Sequence, residues 1–414
     1  MSDQTSFVRF LRSTCIVILL GIAAAIALVV VVDPYRLYRV VDVPGFNAVK
    51  PQPDRYQEQI KLSNARRTNA SALIFGNSRA EYGLNPEYQG FHQAGLSAYN
   101  MALSGTKIGA SRRDLSYFKT SGQKPAFVLL GVDFLDYLVD ATKPIPPAVI
   151  TPVSQYDVNG IKWQFDALFS LTSVNDALKT LEIQKNPEAE TISPRGMNPL
   201  LEYKKFAREE GYYAIFQQRA LEYAKTFSQK PHDLVFPASG SSPELDGLRA
   251  TLSMIAEDKT DANIIIYPYH AQILAMFEET GLWPAFEQWK ELLIKEIAAT
   301  NAKYPNVHIK LWDFSGYGTQ QCERIPEKND LKTATQWYWE AGHFKQSLGN
   351  LILARILSDK IGQSRAMIFG TELVASNAVE NQRRIQQEKA SCITDYPALF
   401  QQVASLVAAE KKEK

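Results

Sequence analysis

The sequence predicts an α/β protein in which helices cover both faces of a mostly parallel sheet, with one membrane-spanning helix ahead of it and a helical insertion within it. Three observations carry this. Short, continuously apolar runs stop at glycine or acidic residues, stretches of helical periodicity separate them, and a charge-free apolar segment lies near the N-terminus.

The first element is "CIVILLGIAAAIALVVVV" (Cys15–Val32), uncharged and near the lower length limit for a bilayer span. Arg9 and Arg12 favour a cytoplasmic 1–14, although Arg36 and Arg39 behind the segment weaken the asymmetry. A cleaved signal peptide is the competing reading. The small residues Ala23–Ala25 lie inside the apolar run rather than behind it, which favours an uncleaved signal anchor over 15–32, with everything after Asp33 outside the cytoplasm. Residues 33–70 read as a linker rich in Pro and turn residues, "DPYRLYRVVDVPGFNAVKPQPD", followed by helical spacing in "RYQEQIKLSNARRTNA".

From residue 71 strand and helix patterns alternate. Strands are predicted at Ser71–Gly76, Ser97–Leu103, Ala126–Phe134, Ala262–Tyr269 and Val307–Phe314, with helical stretches such as "SRRDLSYFKT" and "PAFEQWKELLIKEIAATNA" between them. The interval Val139–Asp261 far exceeds an ordinary crossover. It reads as a mostly helical insertion at about 140–260, either a lid or substrate-binding subdomain over the mouth of the sheet or a helical pack on its rim. The α/β domain then spans 71–362, and 363–414 form a C-terminal helical extension.

Bulk composition narrows the partners. With a net charge of +1 and no basic stripe, nothing points to nucleic acid. Cys15 falls in the apolar segment; Cys322 and Cys392 either bridge in an oxidising compartment or stand as unrelated thiols. No His/Cys spacing suits a metal, and no cofactor is expected.

Candidate chemistry gathers at strand ends, where open α/β sheets bind ligands. Ser78 follows the first strand in "LIFGNSRAEYGL", Gly105 follows the second in "NMALSGT", and Asp133 ends the third in "LLGVDF". Glu340 and His343 lie in "WYWEAGHF", ahead of a helical run. A serine hydroxyl becomes a competent nucleophile when an imidazole accepts its proton, and a carboxylate on the far ring nitrogen fixes the tautomer. Glu340 and His343, three apart, are expected on one side of a helical turn. The Ser78 and Gly105 backbone N–H groups are candidates to hold an oxyanion.

The order Gly76-Asn77-Ser78, Gly105, Gly131-Val132-Asp133 and Glu340-x-x-His343 resembles the SGNH (GDSL-like) hydrolase superfamily, over roughly 71–139 and 261–361. The resemblance implies a flavodoxin-like three-layer α/β/α fold acting on acyl esters, with Ser78 as nucleophile, Gly105 as oxyanion glycine, and Glu340 and His343 as acid and base. Two positions depart from the pattern. Asp133 stands where an oxyanion-donating Asn is usual, and a carboxylate there repels an oxyanion unless protonated or turned away; Asn77 and Asn100 are the substitute donors by position. Glu340 stands where Asp is usual, a difference of one methylene. A single anchor helix ahead of such a domain is also similar to bacterial extracytoplasmic enzymes that add or remove O-acetyl groups on cell-surface polysaccharides. That implies an inner-membrane protein with a periplasmic domain and a polysaccharide partner.

Plainer readings stand beside these. Ser78 alone fits a helix cap, and Asp133 fits a structural strand-end residue bonding neighbouring backbone. His270, in "YPYHAQIL", reads first as a structural histidine and second as a substrate contact. Arg79 is expected to pair with Glu81 or another local acid, ahead of holding an anionic or sugar group. The function expected is a membrane-anchored serine esterase or O-acyltransferase; the alternative is a catalytically inactive scaffold on the same fold.

Overall fold

The computed structural model describes residues 2–51, 56–143, 161–189, 192–237, 239–240, 242–362 and 369–412. Part of the predicted insertion, 144–160, lies outside them.

The chain begins with α1 (Ser2–Val32) and α2 (Gln57–Arg67). α1 is longer than the predicted 15–32 span, and Arg9 and Arg12 fall within it. Its Gln4–Val32 stretch is long and apolar enough to cross a membrane. At its C-terminus the free carbonyls have built-in partners: Asn47 Nδ2 donates to Val31 O (3.2 Å) and Val32 O (3.1 Å), and Lys50 Nζ donates to Val32 O (2.8 Å). Burial lowers the Lys50 pKa to about 8.

The first half of the sheet domain runs β1 (Ala72–Phe75), α3 (Ser78–Gly83), α4 (Gln89–Gln93), β2 (Ala98–Asn100), α5 (Ile108–Thr120), β3 (Phe127–Val132) and α6 (Phe134–Tyr137). An excursion follows, containing β4 (Val139–Asp140), α7 (Ile161–Phe169), α8 (Leu171–Ile183), α9 (Tyr203–Ser228) and β5 (His232–Asp233). The chain returns through α10 (Pro243–Glu257), β6 (Asp261–Ile266), α11 (Ala271–Glu279), α12 (Trp283–Lys303) and β7 (Ile309–Asp313). It ends with β8 (Tyr338–Glu340), β9 (His343–Phe344), α13 (Gln346–Ile361), β10 (Thr371–Glu372), α14 (Ala378–Asp395) and α15 (Pro397–Lys412).

The six-stranded sheet has the order β10-β7-β6-β3-β1-β2. The five predicted strands are all present and parallel; the sixth, β10, pairs antiparallel with β7. Every residue of β1, β2 and β3 is buried, as continuous apolar runs require when both faces are covered. One helix group, α5, α10 and α12, packs side by side; a second group comprises α3, α4 and α13.

Two expected boundaries move. The excursion closes at an antiparallel neck, Val139↔Asp233 and Asp140↔His232, and α10 is an ordinary crossover helix packed on α5. The insertion therefore ends near 233, not 260. It is also not one lid: α7 and α8 pack on α1, whereas α9 packs on β8 and α11. The C-terminal segment is likewise no appendage. β10 joins the sheet, α15 packs on α9 and α11, and Cys322 and Cys392 form a disulfide.

Candidate active site

β1 is followed by Gly76, whose φ of +145° places it where a side chain is strained, and a Cβ there would also collide with the Tyr267 hydroxyl. The chain then turns into α3. Asn77 is the N-cap: its Oδ1 accepts the Arg79 N–H at 3.1 Å. Ser78 follows at the first helical position, where backbone N–H groups have no intrahelical acceptor.

Ser78 Oγ lies 2.8 Å from His343 Nε2, although 265 residues separate them. His343 Nδ1 is hydrogen-bonded to Glu340 Oε1, and Glu340 Oε2 accepts the Gly342 N–H at 2.7 Å. Ser78, His343 and Glu340 thus form a continuous relay. The expected helical turn is absent: Glu340 and His343 are cross-strand partners in the tight hairpin β8–β9. A spacing of three serves either geometry, because residues flanking a two-residue hairpin turn also face each other.

Glu340 is fully buried, which by itself raises its pKa, but His343, the Gly342 N–H and Arg219 of α9 hold it below the usual carboxylate value. It stays ionised and orients the imidazole. Tyr82 packs against His343 with ring centroids 5.2 Å apart.

After β2 the chain keeps pairing with β1 as it leaves the sheet, Met101 N–H to Ile74 O (2.7 Å) and Leu103 N–H to Gly76 O (3.1 Å). This carries Gly105, exposed and with φ of +70°, along the exit of β1. The loop is held by Glu81 of α3, which accepts from Ser104 N (2.9 Å), Ser104 Oγ (2.5 Å) and the buried Lys61 Nζ (2.8 Å). The sequence suggests Glu81 only as a partner for Arg79, and it does not reveal Lys61, Tyr82 or Arg219 as neighbours of the site. The adjacent pair Glu81-Tyr82, one turn after Ser78, was the available signal.

Arg79 pairs with Asp133, not Glu81. Asp133 also accepts from Asn77 Nδ2 (2.8 Å), Tyr269 Oη (2.7 Å) and Leu135 N (3.1 Å). Its charge is met by a buried guanidinium and a ring of donors, so this carboxylate is a strand-end fastening. The two substitute donors are committed elsewhere. Asn77 Nδ2 serves Asp133 and Asp136 (3.2 Å), and Asn100 Nδ2 donates to Ala80 O and Leu84 O, both at 2.9 Å. Neither carboxamide is an open oxyanion donor.

His270 is fully buried at the start of α11, with Nδ1 accepting from Gln272 N (3.1 Å) and Nε2 bonded to Glu323 O (2.8 Å). Burial lowers its pKa to about 4. It is structural in this fold, with no nitrogen left for substrate.

A cavity of about 500 Å³ lies beside the β8–β9 hairpin, walled in part by Lys204, Lys332, Tyr212, Trp339 and Lys345. Burial lowers the Lys345 pKa to about 8, and its Nζ donates to Tyr212 Oη at 2.8 Å. Among the described residues no cluster of His, Cys, Asp and Glu is arranged to hold a metal ion. No protein-family model and no curated protein sequence matches the chain.

Proposed function

We propose that the protein is a membrane-anchored serine esterase or O-acyltransferase of SGNH type, acting on acyl, chiefly acetyl, esters of a cell-surface polysaccharide outside the cytoplasm. The observation that carries the reading is the Ser78–His343–Glu340 relay at the C-terminal edge of the sheet. The parallel order β2-β1-β3-β6-β7, which is that of flavodoxin-like doubly wound sheets, supports the fold half of the proposal.

In the proposed reaction Ser78 Oγ attacks the acyl carbonyl and its proton passes to His343 Nε2. The Ser78 and Gly105 N–H groups hold the oxyanion. As the ester C–O bond breaks, His343 returns the proton to the departing alcohol, leaving acyl-Ser78. Water or a sugar hydroxyl, deprotonated by His343, then attacks the acyl carbonyl, and as the acyl–Oγ bond breaks His343 returns the proton to Ser78 Oγ; the first acceptor makes an esterase and the second a transferase.

Retention of α1 as an anchor is supported by its last turns. Val29 and Val32 are buried against Ala177 of α8, and cleavage behind them would empty that cluster.

A fluorophosphonate probe tests the enzyme reading on the detergent-solubilised full chain. Labelling that Ser78→Ala abolishes supports it; an unlabelled but folded wild type favours the scaffold, whose supports are Asp133 in place of a third oxyanion donor and the large insertion. Acetate release from an aryl acetate, with and without a sugar acceptor, then separates esterase from transferase.

A further inference from the structure

Resting on the reading of α1 as a membrane anchor, we infer that the α7–α8 hairpin is a second membrane contact, seated in the bilayer interface with lipid as its occupant. The hairpin cannot be placed independently of α1. Leu168, Val174 and Leu181 pack with Val29 and Val32, and Tyr35, just past α1, donates to Asp176 of α8 at 2.5 Å. The Asn47 and Lys50 bonds to the last carbonyls of α1 lock the same junction. Wherever the end of α1 sits in the bilayer, the hairpin sits beside it.

The surface the hairpin presents there is apolar. Phe165 and Phe169, one turn apart, stack at 4.3 Å and are 54% and 46% exposed. Leu171 is 84% exposed and Leu178, two turns along the same face of α8, is 52% exposed. Val40 and Val43 of the linker that wraps the α1 terminus are exposed as well. On α8 the stripe Leu171-Val174-Leu178-Leu181 is only half covered by α1. Val31, near the end of α1, is partly exposed as well.

In water this concentration of large apolar side chains is costly. At the edge of the hydrocarbon it is what an interfacial helix carries. The charges agree. Lys162, Lys179 and Lys185 are exposed on the hairpin and suit headgroup phosphates, with Glu182 against them. Asp166 and Asp176 are engaged by the Tyr56 and Tyr35 hydroxyls. The hairpin and α1 together give the domain two points of support, which sets its tilt on the membrane as well as its tether.

The test uses the full chain carrying Cys15→Ala, with Cys322 and Cys392 bridged and unreactive, reconstituted in phosphatidylcholine–phosphatidylglycerol vesicles. Leu171→Cys, Ile18→Cys and Lys332→Cys variants each carry an environment-sensitive fluorophore; residue 171 is too exposed for its replacement to cost packing. With nitroxides on the lipid acyl chains, the labels at 18 and 171 are expected to be quenched at least about twofold and shielded from aqueous iodide, and the label at 332 to behave oppositely. Quenching at 18 with 171 behaving like 332 overturns the hairpin contact and leaves the anchor standing. An unquenched label at 18 removes the anchor itself. A label at 171 shielded from iodide but untouched by lipid nitroxides means that protein covers the hairpin, and overturns lipid as the occupant.

Discussion

Two histidines lie near the C-terminal edge of the sheet, and their surroundings divide them. His270 is fully buried and spends both ring nitrogens on backbone, the Gln272 N–H and the Glu323 carbonyl. The side chain of His343 is 16% exposed and spends its nitrogens on a carboxylate and a hydroxyl. Backbone partners give an imidazole nothing to exchange a proton with. A carboxylate behind and a hydroxyl in front give it a direction in which to move one. Position at a strand end therefore says where chemistry can occur, and the partner set says which residue is equipped for it.

The contrast can be broken by experiment. His343→Ala is expected to lower kcat/KM for an aryl acetate by roughly 10³-fold or more in a chain that circular dichroism shows to be folded. A comparable loss in a folded His270→Asn chain would erase the distinction. Glu340→Gln, which keeps the shape but loses the charge that orients His343, is expected to cost roughly 10²- to 10⁴-fold in kcat; a loss below tenfold would mean that His343 is oriented by something else.

The buried histidine makes its own prediction. Its pKa falls from 6.5 to about 4 on folding because burial disfavours the cation. The unfolded chain thus takes up a proton that the folded chain refuses. The associated stability is present above pH 6.5 and is lost as the pH falls toward 4, a contribution of about 3 kcal/mol. Denaturant titrations at pH 7 and pH 4.5 should show a smaller difference for His270→Asn than for wild type, and equal differences would refute the assignment. At pH 8, the smallest effect of the set, His270→Asn is expected to destabilise by about 1–2 kcal/mol through the weakened tie to Glu323.

How far the sequence shows this arrangement depends on how local the determining contacts are. Each parallel strand is visible because burial on both faces demands an unbroken apolar run, and "AFVLLGVDF" has little other use. β10 is two half-buried residues, Thr371 and Glu372, with no apolar run to announce it. The polar residues at strand ends are legible as a set, but their pairings are not. Arg79 meets Asp133 because β1 and β3 are sheet neighbours, a fact absent from the spacing of either residue. The Glu340–His343 spacing fits a helical turn and a hairpin alike, and Gly342 between them is required by a contact that the spacing does not show, the Tyr223 hydroxyl lying where its Cβ would be. Which surface α7 and α8 cover is a property of α1, more than a hundred residues upstream, so periodicity reveals their amphipathic character and not their partner.

The brace formed by Lys61 and Glu81 has a practical corollary for anyone trimming the molecule. α2 lies outside the sheet and looks expendable, but its ammonium neutralises the carboxylate that steadies the Gly105 turn. A secreted version begun at Ser71 would strand Glu81 in a dry interior without its counter-ion, at a cost of about 3–5 kcal/mol. The shortest faithful soluble form must start ahead of Gln57.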